Sequence, residues 1–246
     1  LQPDTWRAFS LGYDAARSLT SDRQQTHGAI TWPVLHESTG TVTAVRYRYA
    51  GATVTGDRYD SLSGSRTVGR LFGVQCLPEF TRYAPDAGRV NAEALRCLVI
   101  TEGEFNAMSI WQACHATGID VLSFGSEGQR TLPAWAVDVA QRYGAVVAWV
   151  DSAAKAQDVA QQLPHAVALR SPEEDGTKQD ANALLLRGTL GGLIQTARLS
   201  CLRRPAQRES VLWDIWDARD TLDAGQRHVA QRLAQELGAK CITWSA

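Results

Sequence analysis

The chain has 246 residues, of which 44% are hydrophobic and 21% are charged, and its formal net charge is −1. These values are typical of a globular protein that buries its own core. No apolar run approaches the roughly 18 residues of a membrane-spanning helix, and no basic segment precedes an apolar one as in a secretion signal. We therefore expect no membrane partner.

The five cysteines are scattered along the chain, and no two of them are spaced as C-x-x-C. A zinc site needs paired Cys or His residues a few positions apart, so we expect no zinc within this chain. Isolated cysteines are typical of small buried side chains in a reducing compartment, which favours a cytoplasmic location.

Charge is distributed unevenly along the chain. Residues 1–90 contain ten arginines, no lysine and eight acidic residues, whereas residues 97–190 contain six basic and eleven acidic residues. An acidic segment beside a mildly basic one suits a metal site placed next to a polyanion-binding track. On charge alone, chance unevenness explains the pattern equally well.

The first third of the chain predicts an α+β segment built around a β-hairpin. Residues 29–35 and 41–49 are rich in strand-forming side chains, and residues with turn chemistry lie between them. The apolar residues of the second strand do not share one face, which predicts a bulge or burial on both faces: Val42, Ala44, Tyr47 and Tyr49. A glycine-rich stretch with arginines follows at residues 61–73, and residues 78–96 predict a boundary between segments.

From residue 97 onwards, strands alternate with helices. The predicted strands cover residues 97–100, 120–124, 145–150 and 166–169. The predicted helices cover residues 104–117, 133–143, 152–163 and 180–186. Alternation at this spacing predicts a mainly parallel sheet with helices on both faces.

Residues 203–246 predict an amphipathic helical tail. Its apolar residues recur at helical spacing, as core or docking surface does: Val211, Leu212, Ile215, Trp216, Val229, Leu233 and Leu237.

Three acidic residues lie next to the predicted strand ends or helix starts, namely Glu102, Asp151 and Asp180. Ligands bind in the crevice outside the carboxyl ends of parallel strands, and converging carboxylates there suit Mg²⁺ or Mn²⁺. The structural alternative is that acids at these positions cap the next helix.

Four motifs in order resemble those of Toprim domains, and most closely those of phage-type fused primase-helicases. T-E-G-E-F-N-A at residues 101–107 is similar to the E-G-x-x-D-A signature that opens the domain. The other three are L-S-F-G at 122–125, A-W-V-D-S-A at 148–153 in the place of the D-x-D strand end, and K-Q-D-A-N-A-L-L at 178–185.

This resemblance implies an α/β fold of the Toprim type, Rossmann-like, with a mainly parallel sheet and flanking helices. The implied domains are a small primase-like α+β subdomain at residues 1–90, a Toprim domain at 91–200 and a C-terminal helical tail at 201–246. Residues 12–14, 46–48 and 69–73 resemble the subdomain that precedes Toprim in primases. The resemblance thus implies nucleic-acid contacts from Arg46, Arg48, Arg58, Arg66, Arg70 and Lys178.

Arginine suits this role because its guanidinium binds phosphate in bidentate fashion and stacks on bases. For any individual arginine, a solvated strand face is the alternative.

The implied activity is nucleotidyl transfer that joins ribonucleotides into primers on a single-stranded DNA template. Glu102 would be the metal-linked acid or base, and Asp151 and Asp180 metal ligands, with Mg²⁺ or Mn²⁺ as cofactor. A helicase or another replication protein is a further implied partner.

The sequence departs from the family pattern at two positions. Asn106 stands where the family has Asp, and Ala153 replaces the second Asp of D-x-D. Three carboxylates remain where five are usual, which favours one metal ion over two. We expect Glu104 to face solvent at the helix start, and residues 173–175 to form a solvated acidic turn.

Two alternatives stay open. The chain is a catalytically degenerate Toprim module that binds single-stranded DNA or assembles with replication or mobile-element partners, or it is a Toprim nuclease. The primase-like upstream segment disfavours the nuclease.

Overall fold

The computed structural model of the chain describes residues 1–15, 18–19, 22–26, 28–50, 59–78, 96–125, 131–163, 166–202, 222 and 224–237. Several predictions lie outside these residues. They are the role of Arg58, residues 79–95 of the boundary predicted at 78–96, and the tail residues Val211, Leu212, Ile215 and Trp216.

The described residues of the amino-terminal part form one short helix and six strands. They are α1 (Pro3–Ala8), β1 (Gly12–Asp14), β2 (Ser18–Leu19), β3 (Asp22–Thr26), β4 (Ala29–Leu35), β5 (Val42–Tyr49) and β6 (Tyr59–Ser61). Four of the strands form an antiparallel sheet in the order β1-β4-β5-β6, and β2 pairs with β3. The predicted hairpin is confirmed as the β4–β5 pair.

The β4–β5 hairpin is buried on both faces and also contains a bulge. The register shifts between Val34 and Leu35, so that β5 has one extra residue at this point. Tyr47 and Tyr49 are buried on one face, whereas the opposite face carries Trp32 paired with Arg46. Period-two alternation then places Arg46 and Arg48 on the same face as Trp32.

In the described residues that follow, the chain forms a parallel sheet, six helices and a small hairpin. The sheet strands are β7 (Cys97–Thr101), β8 (Ile119–Ser123), β9 (Ala145–Trp149) and β10 (Ala166–Ala168). The helices are α2 (Glu104–Cys114), α3 (Ala134–Ala140), α4 (Ala153–Gln161), α5 (Ala181–Leu186), α6 (Leu190–Leu202) and α7 (Ala224–Glu236). The hairpin pairs β11 (Glu173–Glu174) with β12 (Thr177–Lys178), and 3₁₀ turns cover Val74–Cys76 and His115–Thr117.

The sheet has the order β10-β9-β7-β8, and all its strands are parallel. Every residue of β7, β8 and β9 is buried, as expected for strands covered on both faces. Val99 and Val147 face a core shared with α2, α6 and α7, whereas Leu98 and Val146 face a core shared with α3 and α4. The predicted α/β class is therefore confirmed.

Helices α6 and α7 complete one of these cores. The described part of the tail packs Leu233 and Leu237 into it, which confirms the predicted apolar stripe at these positions. Helix α6 was not among the predicted elements. Gly191 and Gly192 in its first turn weaken the helical pattern, and the burial of Leu190 and Ile194 compensates.

The amino-terminal part is joined to the edge of the parallel sheet through a two-way backbone bridge. Phe72 N donates to Ser123 O at 2.8 Å, and Ser123 N donates to Phe72 O at 2.9 Å. The next residue, Gly73, has φ of 103°, and a Cβ there would lie 2.5 Å from Val121 O. Only glycine permits this close approach, which allows Phe72 to pair with Ser123 at the end of β8.

The described cysteines, Cys76, Cys97, Cys114 and Cys201, are free thiols. Burial raises the pKa of Cys97 and of Cys114 to about 12, so these two are inert core residues. Within the described parts of the chain, no helix combines the length and the apolar character that crossing a membrane requires.

Candidate functional site

A cleft of about 400 Å³ opens where the carboxyl ends of β7 and β9 face the amino-terminal sheet. Its lining combines acidic, basic, aromatic and amide side chains: Arg46, Arg48, Tyr59, Glu102, Gly103, Glu104, Phe105, Asn106, Gly125, Asp151, Asp180 and Asn182. The three acids singled out from the sequence therefore lie at one cleft. Their catalytic and metal-binding roles stay predictions.

Glu102 follows β7 and its side chain is almost fully buried, with 7% exposed. Lys155 Nζ lies 2.8 Å from Glu102 Oε1, and its side chain is only 4% exposed. The other carboxylate oxygen, Oε2, accepts a hydrogen bond from Asp151 N at 3.3 Å. The chain itself thus supplies the cation that neutralises Glu102.

Lys155 was missed in the sequence analysis, which considered only acids as possible metal ligands. It lies in the first turn of α4, where the Ser152 hydroxyl caps the helix by accepting from Lys155 N. Its role could have been suspected from its position in the sequence, because Lys155 lies two residues after Ala153, which replaces the second Asp of the family pattern.

Asp151 is exposed beyond the end of β9, with 62% of its side chain accessible to solvent. Lys178 Nζ lies 3.6 Å from Asp151 Oδ1 and also donates to the Asp151 carbonyl. Asp180 is exposed at the start of α5, where Oδ1 accepts from Ala183 N at 2.8 Å. The capping alternative is therefore confirmed for Asp180, although this residue also lines the cleft.

Asn106 forms a hydrogen-bond chain that needs an amide. Its Nδ2 donates to Glu102 O at 3.0 Å, and its Oδ1 accepts from Asn182 Nδ2 at 3.0 Å. Asn182 Oδ1 in turn accepts from Ser109 Oγ at 2.7 Å. A carboxylate at position 106 accepts but does not donate, so the amide is fitted to its neighbours.

The prediction that Glu104 faces solvent is wrong. Its side chain is 2% exposed and forms an ion pair with Arg46, which also donates to Gly125 O. The reason is tertiary, because β5 covers the first turn of α2. Burial raises the pKa of Glu104, and Arg46 opposes this shift.

Arg48 and two aromatic rings, Phe105 and Tyr59, form one wall of the cleft. The Arg48 guanidinium carbon lies 4.8 Å from the centre of the Phe105 ring and 5.3 Å from that of Tyr59. Arg48 and Phe105 are half-buried and Tyr59 is 41% exposed. This wall presents a cation and stacking surface to the cleft.

Two other predicted arginines that the structure describes, Arg66 and Arg70, lie outside the cleft. Arg66 is exposed, Arg70 forms an ion pair with Glu37, and neither is among the cleft-lining residues. The structure thus brings Arg46 and Arg48 to the cleft, with Lys178 beside Asp151.

The described side chains of the cleft do not form a ligand set for the expected magnesium ion. Among the described residues, no group of three or more His, Cys, Asp or Glu side chains is placed to hold a metal. The Lys155 ammonium already binds the Glu102 carboxylate, and the Asn106 amide oxygen accepts a hydrogen bond from Asn182. Ala153 has no side-chain atom that could bind a metal. As arranged, these residues do not fit an ion held jointly by Glu102, Asp151 and Asp180.

No family model matches the chain, and no curated protein sequence matches it significantly. Solved structures do match. The primase fragment of the bacteriophage T7 primase-helicase is similar over 79% of this chain and 68% of its own, with 15% identity and a TM-score of 0.53. The chain has a primase-like fold.

A second similar chain comes from the structure of bacteriophage T7 lagging-strand DNA polymerase interacting with primase domains bound to an RNA/DNA hybrid and dTTP. The similarity covers 79% of this chain and 85% of that one, with 13% identity and a TM-score of 0.54. At this identity the match defines the fold alone. Within the primase-like fold, the cleft lies at the carboxyl edge of the parallel sheet, where such folds bind ligands.

The charges of the cleft are balanced. Four acidic side chains, Glu102, Glu104, Asp151 and Asp180, meet four basic ones, Arg46, Arg48, Lys155 and Lys178. A phosphate that enters therefore does not meet a purely acidic surface.

Proposed function

We propose that this chain is a primase-like module that binds single-stranded DNA and nucleotides in the cleft, with residues 91–200 as a Toprim domain. The observation that carries the proposal is the position of Arg48 over Phe105 and Tyr59, in a cleft that Asp151 and Asp180 also line. Proteins that hold single strands combine cationic groups with aromatic rings on which bases stack.

In this proposal the residues that line the cleft contact different parts of the ligand. Tyr59 and Phe105 stack on bases, Arg48 and Lys178 contact phosphates, and the exposed carboxylates of Asp151 and Asp180 accept hydrogen bonds from sugar hydroxyls or base amino groups. The similar T7 structure, which contains primase domains with an RNA/DNA hybrid and dTTP, supports nucleic acid and a nucleotide as ligands. The DNA polymerase in that structure supports a replication protein as partner. Ribonucleotides as substrates and a helicase as partner are part of our proposal.

The binding proposal is tested by fluorescence anisotropy with a labelled single-stranded oligonucleotide. Arg48→Ala should weaken binding, because the proposed phosphate contact of its guanidinium is lost. It should also lower the salt slope by about 0.7, because one phosphate contact to a single strand is lost. Arg7→Ala is the matched control, since Arg7 is 79% exposed on α1 and pairs with Asp4. Absence of binding by the wild type, or equal losses in both variants, would contradict the proposal.

A second candidate function is template-directed synthesis of RNA primers, favoured by the meeting of Glu102, Asp151 and Asp180 at one cleft. Primer synthesis is measured with labelled ribonucleotides in the presence of Mg²⁺ and, separately, of Mn²⁺. A product that disappears in Asp151→Ala would support catalysis. DNA binding without any product supports a binding module, and shortened DNA indicates a nuclease.

A further inference from the structure

The ion pair between Lys155 and Glu102 is the deepest charged contact of the cleft. Lys155 Nζ and Glu102 Oε1 are 2.8 Å apart, and the two side chains are 4% and 7% exposed. Lys155 Nζ also lies 5.3 Å from the centre of the Phe124 ring. Withdrawal of the ammonium would leave a buried carboxylate without its counter-ion, which is strongly unfavourable.

Both oxygens of Glu102 are already engaged. Oε1 accepts from Lys155 and Oε2 accepts from Asp151 N. Magnesium binds oxygen at about 2.0–2.1 Å with near-ideal octahedral geometry. An ammonium at 2.8 Å from the same oxygen occupies the space and supplies the positive charge that such an ion would bring.

Two neighbouring residues, Asn106 and Ala153, also offer no free oxygen to a metal ion. Asn106 turns its amide nitrogen, not an oxygen, towards Glu102 O, and its amide oxygen is bound by Asn182. Ala153 is the first residue of α4 and has no donor atom. The sequence thus lacks an acid at positions 106 and 153, and it supplies a cation nearby at position 155.

We infer that Lys155 is the built-in counter-ion of Glu102, and that the cleft binds its nucleic-acid ligand without a divalent cation. This inference rests on the proposed function for the identity of the ligand. Its metal part stands independently of that function. Lys155 acts through Glu102 as a positioning residue, because it fixes the carboxylate and, through Oε2, the Asp151 backbone.

The metal part is tested on the full chain by electron paramagnetic resonance, since the signal of aqueous Mn²⁺ decreases when the ion binds to protein. The wild type should bind no Mn²⁺ at the cleft at millimolar concentration. Lys155→Met removes the charge at similar length, and this variant should bind Mn²⁺ in a manner that addition of Glu102→Gln abolishes. Lys155→Arg keeps the charge and should remain free of Mn²⁺.

Wild-type binding of Mn²⁺ that Glu102→Gln abolishes would overturn the inference. Lys155→Met that folds, as checked by circular dichroism, and still binds no Mn²⁺ would show that Lys155 does not exclude the ion. If Lys155→Met does not fold, the wild-type measurement and Lys155→Arg decide the question.

The ligand part is tested by measuring single-stranded DNA affinity in EDTA and in Mg²⁺ at matched ionic strength. The affinity in EDTA should be no more than about twofold weaker than in Mg²⁺, since EDTA removes no ion that bridges the protein to the phosphates of the strand. An affinity about tenfold or more weaker in EDTA would overturn this part. If the wild type binds no DNA at all, the proposed function fails, whereas the Mn²⁺ measurement still tests Lys155.

Discussion

The guanidinium of Arg46 donates to the carboxylate of Glu104 across the cleft and so ties strand β5 to the first turn of helix α2. The two side chains are 15% and 2% exposed, and Arg46 also reaches the Gly125 carbonyl beyond β8. One arginine therefore holds the amino-terminal sheet, α2 and the loop after β8 together at the cleft.

Arg46→Ala should lower the free energy of unfolding by about 3–5 kcal/mol, the typical cost of removing one partner of a buried ion pair. The loss arises because Glu104 would keep a buried charge with no partner arginine. Urea denaturation followed by circular dichroism measures it. Arg7→Ala removes an arginine from an exposed pair and should change stability by about 0.5 kcal/mol or less. Equal losses in the two variants would show that the Arg46 pair does not stabilise the fold.

Glu104 should also give the stability a characteristic pH dependence. Burial raises its folded-state pKa above the ordinary value of 4.5. Between the unfolded and the folded pKa the folded state binds more protons, so stability falls as pH rises through this window. Glu104→Gln lacks this titration. The stability difference, wild type minus Glu104→Gln, should therefore decrease from pH 4 to pH 7. A difference that is constant or rises over this range would show that the folded-state pKa is not raised.

The parallel sheet could be predicted from sequence because its strands are short continuous apolar runs between helical segments. Strands β7 and β9 lie where predicted, to within one residue. The convergence of Glu102 and Asp151 also follows from sequence, since the carboxyl ends of parallel strands share one edge. Local pattern and topology were sufficient for these features.

The partners of these acids could not be predicted in the same way. Glu104 was expected to face solvent because a local pattern indicates the position of a residue on its own helix, not which other element covers it. Arg46, which covers it, lies 58 residues earlier in the chain. Lys155 likewise reaches Glu102 across a separation of 53 residues.

Asn106→Asp restores the acid of the family pattern and should nevertheless destabilise the chain. Asn106 Nδ2 donates to Glu102 O, whereas a carboxylate at this position would oppose that carbonyl. Loss of the hydrogen bond with an unsatisfied acceptor costs about 1–3 kcal/mol. Urea denaturation at pH 7 measures the loss, and Asn106→Ala serves as the control that removes the bond without adding charge. Asn106→Asp no less stable than Asn106→Ala would contradict the expected repulsion. We also expect Asn106→Asp to bind no Mn²⁺, because the Lys155 ammonium would still bind the Glu102 carboxylate.

The backbone bridge between Phe72 and Ser123 can be tested with matched substitutions at Gly73 and Gly64. Both have positive φ, 103° and 85°, but a Cβ at Gly73 would lie 2.5 Å from Val121 O, whereas a Cβ at Gly64 would meet nothing within 4 Å. Gly64→Ala should cost about 1–2 kcal/mol, the strain of a left-handed conformation alone.

Gly73→Ala should cost more than this, because the adjacent Phe72–Ser123 bridge must also shift to relieve the backbone clash. Urea denaturation gives both losses of stability. Hydrogen exchange at the Phe72 and Ser123 amides separates the two variants further, since protection there should fall in Gly73→Ala and persist in Gly64→Ala. Equal losses of stability in the two variants, with both amides still protected, would mean that the bridge between Phe72 and Ser123 does not require the close approach of Gly73 to Val121 O.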